Sequence, residues 1–314
     1  MRIVFMGTPE FAVPCLQVLV DAGHEVIAVF TQPDKPKGRG NRLTASPVKE
    51  LALKLGIPVY QPEKIRKESV ETLEQLAPDM CVTAAFGQIL SQRLLDIPKH
   101  GCVNVHASLL PRHRGSAPIN WAILQGDKTA GVTTMMMARG IDTGDMLLRE
   151  EVPIREGETA GELTRRLSVH GAALLSATLS YLADFGSFDG LRQPQDESRM
   201  TYDPMLDKAM GVIDWTRDAP DIVNQIHGLN PWPGASTAWE GGRLKLHRAR
   251  VAEGAGTPGE ILTADAKQGL VIACGSGAVC VTELQAPGGK PMSSRDYLRG
   301  HPMAVGAILK EAEA

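Results

Sequence analysis

Apolar and polar positions follow two different patterns along the chain. In the first 185 residues, short apolar runs predict strands, and apolar residues spaced three or four apart predict helices between them. The predicted strands are residues 2–6, 26–30, 79–85, 102–106 and 132–138. This alternation is typical of a mostly parallel sheet covered by helices on both faces, with sites at the carboxyl ends of its strands.

Three segments of this region predict helices. One begins near Pro14 and ends before Gly23, and another has Ser46 as its N-cap and Pro47 at its first helical position. The third is a long helix, whose inward face is predicted to comprise Leu163, Leu167, His170, Leu174, Ala177 and Tyr181.

The rest of the chain reads differently. Residues 186–204 are polar and rich in turn formers, which predicts a linker, and residues 218–229 predict a helix. Short strand-like runs then recur between glycine-rich turns, at 236–240, 243–251, 259–264, 269–274 and 278–284. That pattern predicts a small β-barrel or sandwich. We therefore expect an α/β protein with a catalytic domain over 1–185, a linker over 186–204 and a second domain over 205–314.

Composition narrows the class of protein. The 314 residues are 43% hydrophobic and 22% charged, as in globular proteins, and five scattered cysteines indicate reduced thiols. The amino terminus has no hydrophobic region of a signal peptide, so we expect a cytoplasmic protein. No cysteine and histidine spacing matches a zinc site, and no metal is expected. The net charge is only -3, so any affinity for a polyanion requires a local basic patch.

Candidate chemistry lies at the end of the strand 102–106. Side chains alternate along a strand, so Asn104 and His106 share one face. Asp142 follows a later predicted strand, in a glycine-flanked turn that would bring its carboxylate to the same end of the sheet. Spacing alone leaves a structural role for His106 open. Rival nucleophiles fit less well, because Ser108 has no GxSxG elbow and Cys102 is two strand steps, about 13 Å, from His106.

Two segments are locally basic. Residues 32–49 form a long detour after a strand, with Lys35, Lys37, Arg39, Arg42 and Lys49 against a single Asp34. Residues 241–250 carry Arg243, Lys245, Arg248 and Arg250 with no acid. Both patterns are typical of phosphate-binding surfaces, and an ordinary solvated surface is the alternative for each.

The stretches NVHASLLPRHRGSAP (104–118) and GIDTGDML (140–147) resemble the signature of the folate-dependent formyltransferase family. The loop 32–49 and the motifs IDW (213–215) and NPWPGA (230–235) are similar to the branch of that family that formylates methionyl initiator tRNA. The resemblance implies a Rossmann-like domain followed by an OB-like β-barrel, and transfer of the formyl group of 10-formyltetrahydrofolate to an α-amine. An amino sugar or another small amine is the alternative acceptor, and a non-catalytic folate- or tRNA-binding module is the alternative class.

The resemblance also implies roles for particular residues. The catalytic residues would be Asn104, His106 and Asp142. Folate would contact Phe86, Gln88, Ile89, Leu90, Ser108, Leu109, Leu110 and Pro111, together with the turn at 138–142. The tRNA would contact Lys35, Lys37, Arg39, Arg42, Lys208, Arg243, Lys245 and Arg248. The chain departs from the family just before IDW, where residues 209–212 are AMGV, and tRNA contacts there are not implied. We also expect a monomer that does not bind a membrane.

Overall fold

The computed structural model of the protein describes residues 1–37, 42–240 and 242–312. Within these ranges the strands are β1 Arg2–Gly7, β2 Glu25–Phe30, β3 Lys35–Lys37, β4 Arg42–Thr44, β5 Val59–Tyr60, β6 Met80–Ala84, β7 Cys102–His106, β8 Arg114–Gly115, β9 Thr129–Met136, β10 Met146–Pro153, β11 Tyr202–Asp203, β12 Ala235–Trp239, β13 Gly242–Ala252, β14 Ile261–Asp265, β15 Gly269–Ala273, β16 Ala278–Gln285, β17 Met292–Ser293 and β18 Lys310–Glu311. The helices are α1 Val13–Asp21, α2 Pro47–Lys54, α3 Ile65–Glu68, α4 Val70–Leu76, α5 Gln92–Leu95, α6 Pro118–Leu124, α7 Ala160–Phe185, α8 Ala219–Gly228 and α9 Ser294–Gly300.

The chain forms two compact units. The first comprises Met1–Pro118, Ala130–Val152 and Thr164–Asp203. The second comprises Ile119–Thr129, Pro153–Leu163 and Pro204–Ala314. None of the helices in the described ranges is long and apolar enough to cross a bilayer.

The first unit is built on a seven-stranded sheet in the order β10-β9-β7-β6-β1-β2-β5. The central pairs are parallel, and β7 pairs with β9 in the antiparallel direction. Its central strand β1 is apolar and buried on both faces, as is typical of a parallel sheet, and Ile3, Phe5 and Met6 have no solvent exposure. The predicted α/β class with a mostly parallel sheet is confirmed.

The inward face of α7 corrects the prediction. Leu163 and Leu167 are buried as expected, but further along the helix the buried positions are Ala172, Leu175, Thr178, Leu179 and Leu182, and Ala177 is exposed. The helix packs closely against the sheet at Gly171, where a Cβ atom would lie 2.9 Å from Cγ1 of Val105. A glycine contributes no apolar side chain to a periodicity, and the prediction therefore followed the wrong residues after Leu167.

The second unit contains an antiparallel sheet in the order β14-β15-β16-β13-β12-β18, with β17 added to β16. The two ends of this path meet through a bridge between Glu260 and Ile308, so the sheet curls into a barrel. Its interior is apolar and includes Trp215, Leu244, Leu246, Ile272 and Val281. The prediction of a small C-terminal β-barrel is confirmed.

Candidate active site

Asn104 lies on β7 and is oriented by the neighbouring strand. Thr83, its register partner on β6, donates a hydrogen bond from Oγ1 to Asn104 Oδ1 at 2.7 Å. The amide nitrogen must therefore point away from Thr83. Because Nδ2 has no hydrogen-bond partner among the described residues, its two N–H groups are available to a ligand oxygen.

His106 ends the same strand, and its ring is buried. The ring atom Nε2 lies 2.9 Å from the backbone carbonyl oxygen of His113. A carbonyl oxygen only accepts, so Nε2 carries a proton and donates it there. The other ring nitrogen, Nδ1, lies 3.6 Å from Oδ1 of Asp142. The proton that His106 can exchange is therefore the one on Nδ1, next to a carboxylate.

Asp142 is held in a tight turn after β9. Its backbone has φ +53°, in the left-handed region that few non-glycine residues adopt. Its second carboxylate oxygen, Oδ2, accepts a hydrogen bond from the backbone N–H of Gly115 at 2.9 Å. His106 and Asp142, which are 36 positions apart in the chain, are thus brought together, and Asn104 lies one strand period before His106.

A second layer of polar residues supports this pair, and the sequence analysis missed it. The buried Asp203 accepts from His113 Nδ1 at 2.8 Å, and Thr201 Oγ1 accepts from the backbone N–H of His113 at 2.7 Å. Strand β11, which contains Asp203, pairs in parallel with β8. The segment after α7 therefore holds the loop whose carbonyl binds His106. Thr201 and Asp203 lie in the polar segment 186–204, whose pattern predicted only a linker.

The predicted folate contacts divide into side chains and backbone. Phe86 and Leu90 pack in the core of the first unit, and Leu110 is buried with Met135 and Met146. Their side chains are core, so only their backbone groups are candidates for ligand contacts. Pro111 is also buried, whereas Leu109 is half-buried.

Other predicted folate residues have polar roles inside the protein. Ser108 donates from Oγ to the carbonyl oxygen of Arg112 at 2.8 Å, which closes the turn after β7. The Gln88 side chain accepts from the N–H of Ile65 at 2.8 Å and donates to the carbonyl oxygen of Pro62 at 2.9 Å. Ile89 is 60% exposed, which makes it the most exposed apolar side chain among the predicted folate contacts that the structure describes.

The basic loop contains a short β-hairpin that the sequence analysis did not predict. β3 pairs with β4 in antiparallel register, Lys35 opposite Thr44 and Lys37 opposite Arg42. Arg39 lies outside the described residues. At the base, Lys49 Nζ contacts Asp34 Oδ2 at 2.7 Å, and this ammonium is the main reason that the pKa of the Asp34 carboxyl is lowered. The loop's remaining charge therefore comes from Lys35, Lys37, Arg39 and Arg42.

The basic strand β13 differs from residue to residue. Leu244 and Leu246 are buried and Lys245 is exposed, as strand alternation predicts. Arg243 donates from Nε to Ser236 Oγ at 2.8 Å. Lys208, before this barrel, is exposed at the start of a single 3-10 turn.

Arg248 is occupied by acids. A register shift in β13 turns it toward Glu162, which its guanidinium contacts, and toward Glu283 at 3.4 Å. Burial alone would raise the pKa of Glu162, but hydrogen bonds from Arg248 and Thr159 outweigh burial and lower it to about 2. The charge of Arg248 is thus matched within the second unit, which makes it a poor candidate for a phosphate contact.

Comparison with known proteins now identifies the family. The model of the family "Formyl transferase" matches residues 1–179, and that of "Formyl transferase, C-terminal domain" matches residues 205–302. A methionyl-tRNA formyltransferase of Trichlorobacter lovleyi is 52% identical over 99% of this chain and 98% of its own. The chain belongs to the methionyl-tRNA formyltransferase family. The enzyme of that name from Geobacter sulfurreducens is 51% identical over the same shares of both chains.

Solved structures share the fold of this formyltransferase chain. A crystal structure of an N-formyltransferase from Helicobacter canadensis, in complex with folinic acid and dTDP-3-aminofucose, has TM-score 0.66 and 17% identity over 90% of this chain and 99% of its own. HypX from Aquifex aeolicus, in complex with tetrahydrofolic acid, has TM-score 0.62 and 20% identity over 95% of this chain. This chain spans about half of HypX, 47% of its length. Within the described residues, no group of three or more His, Cys, Asp or Glu is placed to hold a metal ion.

Proposed function

We propose that this protein transfers the formyl group of 10-formyltetrahydrofolate to the α-amino group of methionyl initiator tRNA, with Asn104, His106 and Asp142 as catalytic residues. The observation that carries the proposal is the contact of His106 Nδ1 with Asp142 Oδ1 at the carboxyl end of β7. The full-length likeness to methionyl-tRNA formyltransferases supports the choice of reaction.

Asn104 supplies the stabilisation of the developing charge. When the amine attacks the formyl carbon, the carbonyl oxygen becomes an oxyanion, and the N–H groups on Nδ2 of Asn104 can donate to it. Thr83 holds the amide in the orientation that presents these donors. Removing one such donor typically costs about 2.7–4 kcal/mol in the barrier.

His106 and Asp142 supply the proton transfer. An α-amine has a pKa of about 8, so at neutral pH a sufficient fraction of it is neutral and nucleophilic. The amine can therefore attack the formyl group directly, and no covalent enzyme intermediate is needed. After attack the new C–N bond is formed, the amine nitrogen loses one proton, N10 of the folate gains one, and the C–N10 bond breaks. His106 Nδ1 carries that proton, because Nε2 is occupied by the carbonyl of His113. Asp142 stabilises the imidazolium that forms in between.

In this proposal the basic loop 32–49 selects the acceptor. Lys35, Lys37, Arg39 and Arg42 place four positive charges on one loop of a chain with net charge -3. The phosphate backbone of a tRNA would be attracted to this loop, whereas a small amine carries no row of phosphates for it to bind. In the second unit we propose tRNA contacts at Lys208 and Lys245, which are exposed, and at Arg243.

The proposal includes the domain organisation predicted from the sequence. The catalytic domain covers residues 1–185, the linker 186–204 and the OB-like tRNA-binding domain 205–314. Folate is bound by backbone around 86–90 and 108–111, with Ile89 as an apolar contact. We propose that the protein acts in the cytoplasm, where methionyl initiator tRNA is consumed. We also propose that it is a monomer, and sedimentation as a dimer would contradict this.

Product analysis tests the proposal. The wild type, supplied with 10-formyltetrahydrofolate and methionyl initiator tRNA, should yield N-formylmethionine after the tRNA ester is hydrolysed. His106→Asn should bind both substrates and form product at least about 100-fold more slowly. Absence of product from the wild type would favour the binding-module alternative, and unchanged turnover in His106→Asn would contradict the catalytic assignment.

A further inference from the structure

The conformation of Asp142 has a cost that its neighbours must offset. A left-handed backbone at a residue other than glycine is unfavourable and persists only where the surroundings impose it. At Asp142, φ is +53°. The turn is also packed closely against β9, because a Cβ atom at Gly144 would overlap the carbonyl oxygen of Met136. Something must hold this turn so that the carboxylate faces His106.

Gln195 provides that hold on the backbone side. Its Nε2 donates to the carbonyl oxygen of Asp142 at 2.7 Å and to that of Gly144 at 2.8 Å. One amide group thus ties together both ends of the turn. The carboxylate side is tied separately, by the N–H of Gly115.

The orientation of the Gln195 amide is set by Arg114. Oε1 of Gln195 accepts hydrogen bonds from Arg114 Nε at 3.0 Å and from Arg114 Nη2 at 2.8 Å. Arg114 is only 3% exposed and also contacts Glu197, which is not among the partners of the Asp142 turn. A residue at position 195 must therefore donate twice to carbonyl oxygens and accept from a guanidinium. An amide side chain does both, whereas a carboxylate or an ammonium does only one.

We propose that Gln195 is a positioning residue for formyl transfer: it holds the Asp142 turn so that the carboxylate faces Nδ1 of His106. This inference rests on the proposed catalytic roles of His106 and Asp142. The residue lies in the segment after α7, which contributes no atom to the reaction itself. Arg114 acts one step further out, by holding the Gln195 amide.

The test compares two variants that disturb the same arginine. Gln195→Met keeps the length of the side chain and removes its hydrogen bonds, whereas Glu197→Ala removes the other partner of Arg114. We expect kcat of Gln195→Met to fall by about 10- to 100-fold, with KM for both substrates nearly unchanged, because displacement of a catalytic group by about 1 Å has that effect. Glu197→Ala should turn over like the wild type.

The split between kcat and KM distinguishes positioning from general stability. In Gln195→Met, kcat per folded enzyme should fall while KM for both substrates stays nearly unchanged, because the Asp142 carboxylate is displaced from His106 but the substrates still bind. A merely structural role would lower the melting temperature and leave kcat per folded enzyme where it is. Should Gln195→Met not fold, Gln195→Glu retains the acceptor for Arg114 and loses both donors, and the same drop in kcat is expected.

The outcomes separate this inference from the proposed function. If Asp142→Asn retains wild-type turnover, the catalytic assignment fails and the role of Gln195 fails with it. If Asp142→Asn is inactive but both Gln195 variants match Glu197→Ala in kcat and KM, only the role of Gln195 is overturned.

Discussion

Replacing Asp142 by asparagine isolates the charge that faces His106. Asparagine tolerates the left-handed backbone at φ +53° at least as well as aspartate, and its side-chain oxygen can still accept from Gly115 N–H. Alanine would add backbone strain and an unpaired N–H to the loss of charge. Asp142→Asn should therefore fold and melt like the wild type while losing one negative charge 3.6 Å from Nδ1.

The expected loss follows from that distance. At 3.6 Å and an effective dielectric constant of about 20, the attraction between the carboxylate and an imidazolium is about 4–5 kcal/mol, which corresponds to roughly a 10³-fold change in rate. The side chain of Asp142 is 16% exposed, so water reduces this value somewhat. General acid–base catalysis independently contributes about 10²–10⁴-fold. We expect kcat to fall by about 10²–10³-fold.

Single-turnover formyl transfer at saturating concentrations of both substrates measures this step. A double variant, with His106→Asn added, should be no slower than the slower single variant, because the two side chains act as one unit. A loss smaller than about tenfold in Asp142→Asn, or losses that multiply in the double variant, would refute the reasoning.

Three further predictions concern stability and tRNA. Burial lowers the pKa of His227 to about 4, so the folded protein disfavours the protonated ring. The free energy of unfolding is therefore highest above the unfolded pKa of about 6.5, and up to about 3 kcal/mol of it is lost as pH falls from about 6.5 to about 4. Urea unfolding of His227→Gln should lack most of this loss, and a pH dependence identical to that of the wild type would contradict the prediction. Arg248→Ala should lower stability by about 1 kcal/mol and leave tRNA affinity unchanged, whereas Lys245→Ala should do the reverse, and the opposite result would reassign both. Replacing Arg39 and Arg42 by alanine should weaken tRNA binding and reduce the slope of log K against log salt by about 2, and an equal loss of folate binding would contradict a tRNA-specific loop.

Local patterns predicted the regular elements well, because they depend on neighbouring residues. The strand 102–106 was predicted with the bounds of β7, and the cap at Ser46 is formed by its side chain, which accepts from Lys49 N–H at 3.1 Å. The predicted inward face of α7 was wrong beyond Leu167, because Gly171 packs closely against the sheet and has no apolar side chain to indicate it. Periodicity detects side chains that fill space, and it misses positions that must leave space empty.

The support of the candidate site could not be predicted in the same way. Gln195 lies 53 positions from Asp142 in the chain, and Asp203 lies 90 positions from His113. In the sequence each is an ordinary polar residue of the predicted linker. Their roles depend on the fold bringing separate segments together. Charge patterns were similarly ambiguous: Arg248 belongs to the basic segment 241–250 and was predicted to contact tRNA, yet the register shift in β13 pairs it with two acids.

The ratio of kcat/KM for two acceptors decides whether the enzyme acts on tRNA. With 10-formyltetrahydrofolate as donor, the enzyme is offered methionyl initiator tRNA and, separately, a nucleotide-linked amino sugar. We expect a ratio that favours the tRNA by several orders of magnitude and falls steeply as salt is added, because phosphates supply much of the binding. Equal or better transfer to the amino sugar would contradict it.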